Sequence, residues 1–109
     1  MKFYKIVGMP YGVDFLYDKD LRGSAGDLLY GCQEHCSQTI KIAEYGYHRN
    51  CETVIHEVVH AYMDELDLSQ RESFTKEDIC NFFAKWGGDI IDTSNEILDD
   101  HYGKDRSYE

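Results

Sequence analysis

The chain has 109 residues, 21 of them acidic and 11 basic, for a formal net charge of −10, with 42% hydrophobic and 29% charged residues. That length suits one domain able to bury about two-thirds of its unfolded surface, and the apolar content excludes a disordered chain. The charge sets the surface against phosphate backbones, so nucleic acid is not an expected partner, and no run approaches the roughly twenty apolar residues of a membrane span.

Residues 2–7 are rich in aromatic and β-branched types and predict a strand. Gly8 to Gly12 carries turn chemistry around Pro10, and Val13, Phe15 and Tyr17 then alternate with Asp14 and Asp18, so a second strand closes a hairpin. Residues 18–27 read as a polar loop. Two further strands are expected, one around Leu28–Gly31 and one over Thr39, Ile40, Lys41 and Ile42, with the two isoleucines on one face.

From Asn50, an expected N-cap, the period becomes helical: Val54, Ile55, Val58, Val59 and Tyr62 recur on one side as far as about Leu66. A second helix is expected from Thr75, with Asp78 completing a capping box and Phe74 and Ile79 forming a hydrophobic staple. Gly87-Gly88 is a place where it kinks or breaks. Residues 99–109 read as a flexible polar tail. Strands first and helices after imply an α+β domain over residues 1–109, a small antiparallel sheet packed on two or three helices.

Residues 56–60 are His-Glu-Val-Val-His. Histidines four apart lie one turn apart on the same helical face, so both imidazoles can reach one zinc ion. Glu57 sits about 100° round the helix from His56, where it can serve as general base toward a water instead of as a ligand. A catalytic zinc takes a third protein ligand. No histidine lies between His60 and His101, so a carboxylate is expected, with Glu77 the first choice and Glu72, Asp78 and Asp64 open. Asn81, four residues after Glu77, is a candidate to hold the free nitrogen of a ligating histidine.

Cys32, Cys36, Cys51 and Cys80 are expected to be thiols, because without a signal peptide the expected compartment is a reducing cytosol. Cys32, His35 and Cys36 resemble half of a structural zinc site. No second pair of cysteines follows, and plain thiols are the favoured reading. Cys80 is expected to face the zinc site as a small packing residue.

These residues resemble the gluzincins, zincins whose third ligand is a glutamate on a second helix in a Glu-x-x-small-Asp/Asn pattern. Glu77-Asp78-Ile79-Cys80-Asn81 fits that pattern, and Phe82-Phe83-Ala84 continues it as in ImmA/IrrE-type peptidases. Over roughly residues 1–98 the chain also resembles small metallopeptidases encoded by phages and prophages. The resemblance rests on Leu29-Tyr30-Gly31-Cys32, on Gln38-Thr39-Ile40 and on Thr53 to His60.

The resemblance implies a minimal zincin-like (minigluzincin) fold and a zinc metallopeptidase of the bacterial host's cytoplasm, acting on a protein or peptide. It implies zinc held by His56, His60 and Glu77, and a sheet edge at Thr39–Ala43, above the cleft, where substrate pairs by strand addition. Tyr45, Tyr47, His48 and His101 are equal candidates to stabilise an oxyanion. The rival reading is a zinc-containing interaction module that binds or inhibits a host protein without cutting it.

Overall fold

A computed structural model describes residues 1–17, 21 and 30–103. Strands β1 (Lys2–Ile6) and β2 (Met9–Leu16) form the expected antiparallel hairpin. The chain reverses at Val7 and Gly8, whose φ angles of 50° and 79° are both positive, as a two-residue turn matched to strand twist requires. Turn chemistry alone does not locate that reversal, since β2 begins at Met9 and runs through Pro10. Proline is tolerated there because the ladder to the next strand starts at Gly12, so the missing N–H falls outside it.

Strand β3 (Gly31–Glu34) pairs antiparallel with β4 (Thr39–Ala43), and β4 lies parallel to β2, giving the order β1-β2-β4-β3. The domain is α+β, but its sheet is mixed, not wholly antiparallel. The parallel neighbours β2 and β4 are not joined by a hairpin turn: residues 17–38, which include β3, separate them along the chain. In consequence Thr39, Ile40, Lys41 and Ile42 are not at the sheet edge: β4 is paired on both sides, and among the described residues the free edge on that side belongs to β3. The expected loop at 18–27 (Leu21 apart) and the expected strand residues Leu28 and Leu29 lie outside the described residues.

Helix α1 spans Tyr47–Glu65 and helix α2 spans Lys76–Tyr102. One face of the sheet contributes Tyr4, Ile6, Tyr11, Val13, Ile40 and Ile42 to the core. They meet Val54, Val58, Ala61 and Tyr62 of α1 and Ile90, Ile97 and Leu98 of α2. The helices run antiparallel, with Tyr62 against Trp86 (ring centroids 5.9 Å apart) and Tyr47 against Tyr102 (5.4 Å). Among the described residues no helix is long and apolar enough to cross a membrane.

Several ends differ from expectation. Asn50 is not the cap of α1; it lies inside the first turn, buried, its Oδ1 accepting the Tyr45 N–H and its Nδ2 donating to Glu44. Thr75 does cap α2, and both halves of the capping box are made with Asp78. The staple is not formed as expected, since Ile79 is 53% exposed and Phe74 packs under the Arg71 guanidinium. α2 passes through Gly87-Gly88 unbroken, because glycine raises the cost of a helix without removing a hydrogen bond.

Residues 99–102, expected in a tail, form the last turn of α2. Their polar groups are tied to the rest of the fold: Tyr4 donates to Asp100 at 2.8 Å, Lys2 pairs with Asp100 at 3.2 Å, and His101 and Tyr102 both bond Glu44. Residues 104–109 lie outside the described residues.

A candidate metal and substrate cleft

α1 buries Val54, Val58, Ala61 and Tyr62, and this stripe fixes the rotation of the helix against the sheet. His56 and His60 then fall on the solvent side, while Glu57 falls at the margin of the buried face, only 7% exposed. The His56 and His60 Nε2 atoms converge to 3.2 Å. Two nitrogens on a tetrahedral zinc, each about 2.0–2.1 Å from the metal, stand roughly 3.3–3.4 Å apart, so the pair fits one edge of that polyhedron. The same separation also serves an N–H···N bond in which one imidazole donates.

Glu57 lies under the start of the edge strand. A Cβ added to Gly31 would meet Thr53 Cγ2 at 2.8 Å and Glu57 Cγ at 3.1 Å, so the helix approaches β3 this closely only because residue 31 has no side chain. Burial pushes the Glu57 carboxyl up from its ordinary value, and the nearby His56 and His60 temper the rise. Glu57 is therefore easier to protonate than an exposed glutamate, and it sits near two imidazoles. A cleft of about 230 Å³ opens here, lined by Tyr30, Gly31, Arg49, Glu52, Thr53, His56 and Glu57.

The expected third ligand does not join them. Among the described residues no group of three His, Cys, Asp or Glu side chains is arranged to hold a metal. The antiparallel helix pair puts the first turn of α2 beside the end of α1, far along the axis from His56. Glu77 is exposed there. Asn81 lines a separate apolar pocket with Leu66, Leu68, Phe74 and Trp86, so it cannot hold a ligand histidine from that position. The other carboxylates are engaged or turned outward as well: Asp78 caps α2 and pairs with Arg71, Asp64 accepts from Ser69, and Glu72 is exposed. Cys80 is exposed rather than packed over a site, and Cys32 and Cys36 are free thiols.

The four oxyanion candidates also separate. Tyr45 packs edge-on against Tyr30 of the cleft, at 5.0 Å between ring centroids, and His48 is exposed on the first turn of α1. Tyr47 turns to Tyr102, and His101 is stacked on Phe15 at 3.6 Å and bonded to Glu44, away from the cleft. Sequence reasoning passed over Arg49, Glu52, Thr53 and Tyr30 as site residues. Two of these, Arg49 and Thr53, fall in a row with His56 and His60 at helical spacing; Glu52 lies beside that row, and Tyr30 depends on how β3 meets α1. No protein-family model matches the chain, and neither curated proteins nor solved structures give a match.

Proposed function

We propose that the protein is a zinc-dependent peptidase of a bacterial host's cytoplasm, with His56 and His60 as metal ligands and Glu57 as general base. The observation that carries this reading is the convergence of the His56 and His60 Nε2 atoms at 3.2 Å, with His56 and the buried Glu57 lining one cleft. The gluzincin-like His-Glu-x-x-His and the resemblance to small phage metallopeptidases support it. A zinc ion would be held by His56 and His60, and when bound it would supply Lewis-acid chemistry. Glu57 would act as general base toward an attacking water and would return a proton to the leaving amine. Its side chain lies close under Gly31, where the missing Cβ leaves it room. Substrate pairs with the free edge of β3, whose first residue lines the cleft, and not with β4.

One observation favours the rival reading. The carboxylates weighed as third ligand lie elsewhere, while Ile79, Phe83 and Ile91 form an exposed apolar row on α2. This suits a metal-containing module that binds a protein partner without cutting it.

The deciding measurement is zinc content by mass spectrometry together with hydrolysis of unfolded protein substrate. The parent is expected to carry about one zinc, and His60→Ala to lose it. Glu57→Gln should keep metal and fold while hydrolysis falls about 10²–10⁴-fold. A parent that binds no zinc when zinc is supplied ends both readings; zinc binding without hydrolysis leaves the interaction module.

A further inference from the structure

We infer that Arg49 is a specificity-determining residue, receiving a carboxylate carried by the substrate on the C-terminal side of the scissile bond. This deepens the peptidase reading and rests on it. Arg49 precedes His56 by seven residues, so it lies on the same face of α1, about 10 Å along the axis. Its guanidinium sits over the Tyr30 ring at 4.5 Å from the centroid, and Tyr30 is backed by Tyr45. Stacking on the ring holds the guanidinium plane in place and leaves its edge N–H groups to donate.

Among the described residues no carboxylate lies within ion-pair range of Arg49, although the chain carries 21 acidic side chains. The other charged groups of the cleft are Glu52, Glu57 and the ionisable His56. Arg49 is the permanent cation of the cleft, the group there that an acidic ligand would meet.

The direction of the substrate follows from the strand. Tyr30 lies at Arg49, Gly31 at Thr53 and Glu57, and His35 Nδ1 at 3.4 Å from Glu65, so β3 and α1 run the same way. Antiparallel pairing is the more stable way for a peptide to add to the β3 edge, and it places the peptide's C-terminal end at Arg49. An extended chain advances about 3.3–3.4 Å per residue, and the arginine side chain covers part of the gap. The carboxylate thus falls two or three residues after the scissile bond. It belongs either to an aspartate or glutamate side chain or to the free C-terminus of a short peptide.

The test uses zinc-loaded parent, Arg49→Gln and Arg49→Lys on quenched fluorescent decapeptides. Each position in turn is fixed as Glu, Gln or Lys, and cleavage sites are read by mass spectrometry. A second set compares free with amidated C-termini placed two and three residues after the cleavage site. The parent is expected to prefer Glu over Gln by about tenfold in kcat/KM at the second or third position after the cut. If the free carboxylate is the source, the preference appears in the second set instead. In Arg49→Gln the ratio falls to near one, and Arg49→Lys keeps part of it. A parent that cuts these peptides with no such preference, or a preference that survives Arg49→Gln, overturns the role of Arg49 and leaves the peptidase reading standing. If no peptide is cut, the peptidase reading fails, and anisotropy with the same labelled peptides decides on Arg49. Tighter binding of Glu than Gln peptides that Arg49→Gln abolishes upholds the contact; equal binding ends it.

Discussion

Two histidine-containing groups sit on different sides of α1 and use their hydrogen bonds in opposite ways. Around Glu44, one half-buried carboxylate takes donors from Gly46 N, Asn50 Nδ2, His101 Nε2 and Tyr102 Oη, which joins the end of β4, the start of α1 and the end of α2. His56 and His60 are exposed, their Nε2 atoms meet each other, and among the described residues neither ring bonds a carboxylate. A polar group whose bonds are all made inside the fold holds structure and has nothing left for a ligand. One with open valences at a cleft adds little stability and keeps its chemistry. The difference teaches that the histidine closest to a carboxylate here is the structural one, and the weakly braced pair is the functional candidate.

The strongest way to break this contrast is Glu44→Ala. It strands the Asn50, His101 and Tyr102 donors and is expected to cost about 2–4 kcal/mol of stability by urea denaturation. Zinc affinity at 25 °C should stay that of the parent; loss of zinc binding with stability intact would invert the two roles.

Gly31→Ala strikes the cleft side instead. The new methyl meets Thr53, Glu57 and the Lys41 carbonyl oxygen, the last at 3.2 Å. The expected cost is about 1–3 kcal/mol, with hydrolysis falling further than zinc affinity because Glu57 is the group displaced. Equal losses in zinc binding and hydrolysis would place the damage on the histidines.

Acid sharpens the contrast from the Glu44 side. Burial pushes the Glu44 carboxyl up, but the bonds from Tyr102, His101 and Gly46 outweigh it and hold the group below its ordinary value of 4.5. A folded-state pKa below the unfolded one contributes stability that is present above the unfolded value and lost as pH falls through the folded one. Parent stability should therefore drop faster than that of Glu44→Gln as pH is lowered below about 4.5, measured by thermal melts at matched ionic strength. Parallel curves would show that the four donors do not favour the charged form.

The smallest change is Gly88→Ala, where an added methyl meets nothing within 4 Å. It should raise stability by about 0.8–1 kcal/mol through helix propensity alone and leave zinc binding and hydrolysis untouched.

What could be read from the sequence is what local geometry controls. The spacing of His56 and His60 brings their nitrogens together because 3.6 residues per turn does so on any helix. The Thr75–Asp78 box formed because its bonds close within three residues. The alternation of Ile40 and Ile42 with Thr39 and Lys41 put the isoleucines in the core because strand side chains alternate.

Tertiary structure alone decided which elements became neighbours. Nothing in the Thr39–Ala43 pattern says that a crossover makes β4 internal and leaves β3 as the edge. Nothing in Glu77 to Asn81 says that an antiparallel return holds those residues at the wrong end of α1. The polar run Asp99 to Tyr102 reads as solvated until Tyr4, Lys2 and Glu44 meet it. Period and capping are set by bonds a few residues long, whereas edges, ligand sets and buried polar clusters depend on contacts between residues up to 96 positions apart, as for Tyr4 and Asp100.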